Sequence, residues 1–389
     1  MNSAIVWFLE SPCPKLESPV LKITNKCPNT PINVEIPFGN HLHSVRLEDF
    51  SLRWDKCALH DLRTLSLRLE SWETDGGPLS QQVLAILSGS PRLEVLELAD
   101  GNEAYWEGDP LSPKDVQQIA KVDETSLSSL RTLKILNLPA KITFAIFMRV
   151  HAPYIDNFYW ECRNENFTAE WLSLHPLGTV QTVPGHLLSY ITSGDIKAYL
   201  KPGGTGRCEF NIKADGEDNE GVTRKFETKL LRFQTSYLRT TFDLLMIDSV
   251  VAPLSLNIGY RGWDDPFPPS LLDNLQAIRK LELNCISNTV EILSYLSNRS
   301  GPGERWPCPM MTHLAIRSSD ELPLDAVTSF RNARYPDRST SDTMDADEGL
   351  KEFPVPLESL LIPNILFRRL VDEAKCILGA SDCDKLVFL

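Results

Sequence analysis

A short hydrophobic pattern recurs along this chain of 389 residues and constrains its fold more than any other feature. The pattern is L-x-x-L-x-L, with other apolar residues allowed at the fixed positions. A weak copy at Leu16–Ile23 opens the series. The clear copies are Leu42–Leu47, Leu62–Leu67, Leu93–Leu98, Leu133–Leu138, Ile155–Trp160, Ile278–Leu283, Met311–Ile316 and Leu357–Ile362. Most copies end in an alternation of apolar and polar residues, which is typical of a strand with one buried face.

Segments with helical spacing lie between these copies. One apolar stripe runs from Leu79 to Leu87, and Ser112 before Pro113 is typical of a helix start. Two further stripes comprise Val290, Leu293 and Leu296, then Leu324, Val327 and Phe330. Alternating strands and helices with this hydrophobic repeat form the leucine-rich-repeat unit. We therefore predict an α/β fold.

The predicted architecture is one irregular leucine-rich-repeat solenoid, shaped like a horseshoe, over residues 1–389. Its curved parallel sheet would line the concave face, with helices and loops on the convex face. Residues 161–260 are predicted to be an irregular middle section with hairpin-like insertions, and a separate small domain is the alternative. Within that section, Cys208–Lys213 and Val222–Phe233 predict two strands around a polar turn. Residues 339–352 are predicted to form an acidic flexible loop.

Charge and composition exclude several classes of protein. The chain has 39 basic and 52 acidic residues, a formal charge of −13, which argues against a nucleic-acid partner. No apolar run approaches the roughly 18 residues that cross a bilayer, and the first residues do not resemble a signal peptide. We therefore expect no membrane partner and a cytoplasmic or nuclear location. The nine cysteines include no C-x-x-C pair and predict neither a metal site nor a cofactor.

Catalysis has no positive support in the sequence. Neither G-x-S-x-G nor H-E-x-x-H occurs, and no cysteine–histidine arrangement stands out. We therefore expect a protein without enzymatic activity and without catalytic residues. An α/β enzyme remains the rival hypothesis, and it would require a cavity with convergent polar groups and an acid or base of perturbed pKa.

Several motifs resemble one known family. They are Ile36–Leu47, Leu52–Asp55, Leu62–Leu65, Trp306–Leu314, Leu324–Pro336 and Pro356–Leu360. Together they resemble the C-terminal leucine-rich-repeat region of the F-box-type proteins of basidiomycete fungi, over residues 12–162 and 275–363. The resemblance implies a protein–protein interaction module that recognises the substrates of a cullin-type ubiquitin ligase.

The same resemblance implies an F-box of about 40–50 residues that precedes the repeats and docks the ligase adaptor. Here the repeats begin by Leu16, and the Leu-Pro pairs at 138–139 and 322–323 lie inside repeats. We therefore expect the F-box to be absent, with the adaptor as a partner only if an F-box lies upstream. The alternative is a free-standing repeat scaffold without a ubiquitin role.

The concave strand face is the predicted binding surface for an unknown protein partner. Its residues alternate with the buried leucines and combine charged, amide and aromatic side chains, among which Arg and Tyr are favoured anchors. The predicted contact residues are Arg46, Glu48, Ser66, Arg68, Glu97, Asn137, Tyr159, Glu282, Asn284 and Arg317.

Overall fold

The structure, a computed structural model, describes most of the chain between residues 20 and 362. The described ranges are 20–24, 32–36, 42–69, 72, 80–101, 112–162, 183–204, 207–234, 238–245, 247, 250–259, 267–273, 275–284, 288–299, 306–317, 322–334 and 354–362. The predicted acidic loop at 339–352 lies outside these ranges.

Sixteen strands and seven helices are found in the described residues. The strands are β1 (Val20–Thr24), β2 (Ile32–Ile36), β3 (Ser44–Cys57), β4 (Thr64–Leu69), β5 (Val95–Asp100), β6 (Thr125–Ser126), β7 (Thr132–Leu136), β8 (Val150–His151), β9 (Asn157–Cys162), β10 (Asp195–Gly204), β11 (Arg207–Glu217), β12 (Thr223–Gln234), β13 (Leu254–Gly259), β14 (Ile278–Asn284), β15 (His313–Arg317) and β16 (Ser359–Leu361). The helices are α1 (Ser80–Ser88), α2 (Pro113–Ala120), α3 (Ala140–Arg149), α4 (Val183–Tyr190), α5 (Leu238–Leu244), α6 (Thr289–Leu296) and α7 (Leu324–Arg334).

One large sheet organises the molecule. Its strand order is β1-β3-β4-β5-β7-β9-β12-β11-β10-β13-β14-β15-β16, with β2 paired to the second half of β3. Among the described strands, only β11 runs antiparallel to its neighbours, and the sheet does not close into a barrel. The short strands β6 and β8 pair separately. The predicted α/β class with a largely parallel sheet is confirmed.

The middle section joins this sheet through a three-stranded antiparallel unit. Both predicted strands around the polar turn are present, as β11 and β12, and β10 lies on the far side of β11. The unit is part of the main sheet, because β12 pairs with β9 and β10 pairs with β13, both in parallel. At its entry, Gly194 has a φ of 93°. A Cβ on Gly216 would collide with the carbonyl oxygen of Ser193, so this turn requires glycine.

Each strand buries one face and leaves the other open. In β4 and β5, Leu65, Leu67, Leu96 and Leu98 are at most 2% exposed, whereas the residues between them are partly or fully exposed. Helix residues such as Leu87 join the strand leucines in one buried core. The helices therefore cover one face of the sheet, as the alternation of apolar residues predicted.

The register of β7 corrects one prediction. The copy at Leu133–Leu138 would align Leu136 with Leu96, but the structure aligns Leu133 with Leu96 and Ile135 with Leu98. The repeat therefore begins three residues earlier, at Leu130. The strand ends at Leu136 because Asn137 takes a left-handed conformation, with a φ of 53°.

Four of the seven described helices follow predicted stripes, whereas α3, α4 and α5 were not predicted. Helix α2 begins at a full capping box in which Ser112 and Asp115 satisfy each other's backbone amides. In α6 the predicted core residue Val290 is 45% exposed, and Ile292 is buried in its place. Helix α3 was not predicted, since its nearly all-apolar sequence hides the helical period and most of it is buried.

Candidate protein-binding face

The uncovered side of the sheet forms a continuous surface, which we call the open face. It consists of the side chains on β3, β4, β5, β7 and β9–β15 that alternate with the buried ones. Strand register aligns these side chains in rows across the sheet. The central row comprises Arg46, Ser66, Glu97, Lys134, Tyr159, Glu227, Lys213, Lys197, Ser255, Lys280 and His313.

A broad cleft lies in the middle of the open face, where the antiparallel unit joins the parallel strands. Its volume is about 780 Å³, and Lys134, Tyr159, Lys197, Lys213 and Lys225 are among the residues that line it. The cleft spans five adjacent strands, β7, β9, β12, β11 and β10. It is therefore larger than a gap between two side chains and accessible from solvent.

Tyr159 forms the hydrogen-bonded centre of this cleft. Its hydroxyl donates to Glu161 Oε2 at 2.9 Å and accepts from Lys229 Nζ at 3.0 Å. Lys229 and Lys134 also approach the ring, with Nζ 5.1 Å and 5.9 Å from its centroid. Glu227 completes the cluster, with Oε1 3.3 Å from Lys229 Nζ. The ring is therefore held in one position before any partner binds.

The electrostatics of this cluster favour the protonated forms of Tyr159 and Lys229. Burial raises the pKa of the Tyr159 hydroxyl, Glu161 reinforces this shift, and Lys229 only partly opposes it. The hydrogen bond to Tyr159 and the nearby Glu227 raise the pKa of the Lys229 ammonium, against the effect of burial. Both groups are therefore held in their protonated forms at neutral pH.

A second polar network lies on the far half of the open face. Glu282 accepts from Asn257 Nδ2 at 3.0 Å and pairs with Arg317 Nε at 2.9 Å. Asn284 donates to Asn257 Oδ1 at 2.7 Å, which fixes the orientation of that amide. These residues come from β13, β14 and β15, so the network links three successive strands.

A smaller cleft of about 310 Å³ borders the central one on the side of β4 and β5. Arg68, Glu97, Ala99 and Asn137 are among its lining residues. The short side chain of Ala99 lies between longer side chains, and this difference in length creates the cleft. Asn137 Oδ1 is buried there and has no hydrogen-bond partner in the described part of the protein.

The structure places nine of the ten predicted contact residues on the open face. Ser66 and Glu97 are hydrogen-bonded at 3.0 Å, and Glu282 and Arg317 form an ion pair, whereas the remaining predicted residues are spread along the sheet. Asn137 follows the end of β7 and so is not part of the central row, but it lines the smaller cleft. Its backbone amide donates to the carbonyl of Glu161 at 2.8 Å. Lys134 takes the predicted position in the row, between Glu97 and Tyr159.

The sequence analysis missed the open-face residues of the antiparallel unit. Lys197, Lys213, Glu227 and Lys229 were not predicted, although Lys213 lies within a correctly predicted strand. The alternation in β12 from Lys225 to Lys229 was a usable signal, because every second residue there is charged. What the sequence did not reveal is that these strands enter the main sheet and so share its open face.

Other reactive groups in the described residues are structural. Burial raises the pKa of the Cys308 thiol to about 12 and raises that of Cys208 further, which keeps both thiols protonated. Among the described residues, no three His, Cys, Asp or Glu side chains could hold a metal ion together. None of the helices found there is long and apolar enough to cross a membrane.

No protein-family model, curated protein or solved structure matches this chain. The central cleft holds convergent polar groups, and the pKa values of Tyr159 and Lys229 are raised, so the two conditions set for an α/β enzyme are both present at this site.

Proposed function

We propose that this chain is a protein–protein interaction module that binds its partner with the open face of the sheet. The observation behind this proposal is the asymmetry of the sheet: helices cover one face, whereas the other presents rows of polar side chains and a cleft of about 780 Å³. A surface assembled from successive parallel strands suits an extended contact with a macromolecule.

Rigid presentation supports this proposal. The open-face side chains project from strands that are hydrogen-bonded on both sides, and Tyr159, Asn257 and Glu282 are further fixed by their own hydrogen bonds. Side chains that are already ordered lose less conformational entropy on association. Aromatic and arginine residues, here Tyr159 and Arg317, are the residue types that most often anchor protein interfaces.

The proposed architecture is a leucine-rich-repeat solenoid whose open face is the concave side of a horseshoe. By its resemblance to F-box-type proteins, the proposed role is to recognise the substrates of a ubiquitin ligase. The support is the repeated L-x-x-L-x-L register, in which Leu65, Leu96 and Leu133 align side by side across three strands. This role is more specific than protein binding and is tested separately.

Affinity capture from cell extract tests the binding surface. The triple variant Arg68→Glu, Tyr159→Ala, Arg317→Glu changes three well-separated positions of the open face. Each charge reversal should weaken binding by about 1–3 kcal/mol where the residue is a buried anchor. We expect this variant to lose the partners that the wild-type chain captures.

A matched control changes two basic residues and one tyrosine away from the open face. Lys114→Glu, Tyr154→Ala and Lys121→Glu have the same total charge change, and all three residues are exposed on helix α2 or in turns. This control should retain the partners, and circular dichroism should show both variants folded. Equal yields from the open-face variant and the wild type would contradict the proposal.

The ubiquitin role is tested on a partner identified by that capture. Depletion of the chain from cells should reduce ubiquitylation of the partner and lengthen its lifetime. A partner that binds the open face while its ubiquitylation is unchanged would instead identify a scaffold without a ubiquitin role.

A further inference from the structure

We propose that the open face binds an extended, carboxylate-rich segment of its protein partner, which lies across the strands along the central row. This inference rests on the proposed function, because it names the chemistry of the partner that the same surface takes.

The central row is basic in an otherwise acidic protein. Its cationic residues are Arg46, Lys134, Lys213, Lys197 and Lys280, and its carboxylates are Glu97 and Glu227. Five cations less two carboxylates give +3 for the row, against −13 for the whole chain. An acidic ligand is therefore attracted to this row and repelled by the remainder of the molecule.

The two carboxylates of the row are already engaged. Glu97 accepts a hydrogen bond from Ser66 at 3.0 Å. Glu227 pairs with Lys213 at 3.2 Å and with Lys229 at 3.3 Å. Glu227 is therefore already paired with two lysines, whereas Glu97 keeps its negative charge next to Lys134 in the row without forming an ion pair with it.

Three lysines of the row remain available to a ligand. Lys134, Lys197 and Lys280 form no ion pair with any described residue, and Lys134 only approaches the ring of Tyr159. Lys197 and Lys280 are exposed. Bringing a carboxylate to such a lysine requires no existing salt bridge to break.

The spacing of these lysines fits an extended segment. Neighbouring strands lie about 4.8 Å apart, so Lys134 and Lys197, four strand intervals apart, are separated by about 19 Å along the row. Lys280 lies two intervals further, about 10 Å away. At about 3.3 Å per residue, a segment of roughly nine residues would contact all three. Tyr159 lies between Lys134 and Lys197 and offers an apolar surface to the same segment.

Carboxylates fit this row better than phosphates. The available cations are lysines, one from each strand, and they do not converge as the arginine forks that bind phosphate do. Asp195 and Asp215 also line the cleft next to the row and would repel a densely charged phosphate. Single negative charges spaced along a peptide meet the lysines with less of this repulsion than a phosphate of higher charge.

Fluorescence anisotropy with the full chain tests the proposal. The probes are a labelled peptide of about ten residues in which Glu alternates with Ser, the same peptide with Lys in place of Glu, and a single-stranded oligonucleotide of similar charge. We expect the acidic peptide alone to bind, and its affinity to fall as NaCl rises from about 50 to about 300 mM, since salt screens exposed charges.

A charge-neutralising variant locates the contact. Lys134→Gln, Lys197→Gln and Lys280→Gln together should weaken binding of the acidic peptide by about tenfold or more. The control Arg92→Gln, Lys114→Gln and Lys121→Gln removes the same charge from exposed positions outside the open face and should change affinity by less than about twofold.

Three results would overturn the inference: no binding of the acidic peptide, equal weakening by both variants, or equally tight binding of the oligonucleotide. A concentration-dependent dimer that the lysine variant disrupts would also overturn it, since a second copy would then occupy the row. The same experiments distinguish this inference from the proposed function. If the captured partners depend on Arg68, Tyr159 and Arg317 but not on the three lysines, this inference is contradicted and the proposed function stands.

Discussion

Lys197 of β10 lies directly opposite Lys213 of β11 in the antiparallel unit, and both side chains extend from the open face. Like charges in directly opposite positions destabilise a sheet. Lys213 is compensated by Glu227 at 3.2 Å, whereas Lys197 has no ion pair among the described residues. The sheet thus tolerates an unfavourable pair at the centre of the surface that we assign to binding.

Replacing Lys197 should change stability and binding in opposite directions. Lys197→Glu places opposite charges across the pair, so we expect the free energy of unfolding to rise by roughly 0.2–1 kcal/mol. The same change should weaken binding of the acidic peptide. Urea unfolding and anisotropy measure the two effects, with Lys121→Glu as a control that alters neither. Lower stability together with unchanged peptide binding would contradict this interpretation of the lysine pair.

The register of β7 predicts unequal costs for two nearby leucines. Leu133 is fully buried beside Leu96, whereas Leu136 lies partly exposed on the open face. Leu133→Ala should lower the free energy of unfolding by about 2–5 kcal/mol through lost burial and a cavity. Leu136→Ala should cost clearly less than Leu133→Ala, because part of the Leu136 side chain stays in contact with solvent and its truncation leaves no enclosed cavity. Urea unfolding of both variants gives the comparison. Equal losses in the free energy of unfolding would favour the register expected from the sequence, in which Leu136 aligns with Leu96.

The repeat pattern predicted the strands well because burial itself produces the signal. The final Leu-x-Leu of the copies at Leu62 and Leu93 lies in β4 and β5 with the expected buried residues. At β7 two overlapping matches exist, beginning at Leu130 and at Leu133, and hydrophobicity alone does not choose between them. The choice depends on where the strand ends. That end is set by the left-handed backbone conformation of Asn137.

The open face was predictable only as far as the strands were. Nine of its residues followed from simple alternation, but the lysines of the antiparallel unit depend on a long-range pairing between β9 and β12. Nothing local in the sequence around Lys225 specifies that partner. The central cleft results from this pairing, and so it could not be predicted from repeats.

An ion pair closes the turn between β11 and β12. Arg224 Nε donates to Asp218 at 2.8 Å, and its Nη1 also donates to the carbonyl of Ile155 at 2.8 Å. Burial acts to raise the pKa of Asp218, but hydrogen bonds from the backbone of Val222, from Arg224 and from the backbone of Glu220 outweigh it and lower the pKa below 3.8.

The Asp218 carboxylate should therefore stabilise the fold in a pH-dependent way. Its folded pKa is lowered, so its contribution is present above pH 3.8 and is lost as the pH falls through the folded pKa. Asp218→Asn should reduce the free energy of unfolding at pH 7 by on the order of 3 kcal/mol. In urea unfolding, the difference from wild type should shrink at acidic pH, whereas a constant difference would show that the charge of Asp218 is not involved.

The lowered pKa of His186 leads us to expect a second effect of pH on stability, at a higher pH than the effect of Asp218. Burial lowers the pKa of this imidazole below 6.5, and the nearby charges of His151 and Arg224 lower it further. Its Nε2 lies 2.7 Å from the hydroxyl of Tyr190. The unfolded chain therefore binds this proton more readily, and stability should decline as the pH falls below 6.5 towards the folded pKa.

Substitution of His186 should remove this sensitivity. His186→Gln is expected to flatten the dependence of the melting temperature between pH 7 and about pH 5. Val251→Ala, at an exposed residue without a titratable side chain, serves as the control and should leave that dependence as in wild type. An unchanged slope in the His186 variant would assign the acid sensitivity to other groups.

Site-specific photo-crosslinking tests the central claim, that the open face binds the partner. A photoreactive amino acid is placed on the open face at Ser66, Lys225 or Ser255, none of which is a proposed anchor, and outside it at the exposed Val251 or Val290. The account predicts that the open-face positions crosslink to the same captured protein, and that Val251 and Val290 do not. Crosslinks to that protein from Val251 or Val290, with none from the open face, would contradict it.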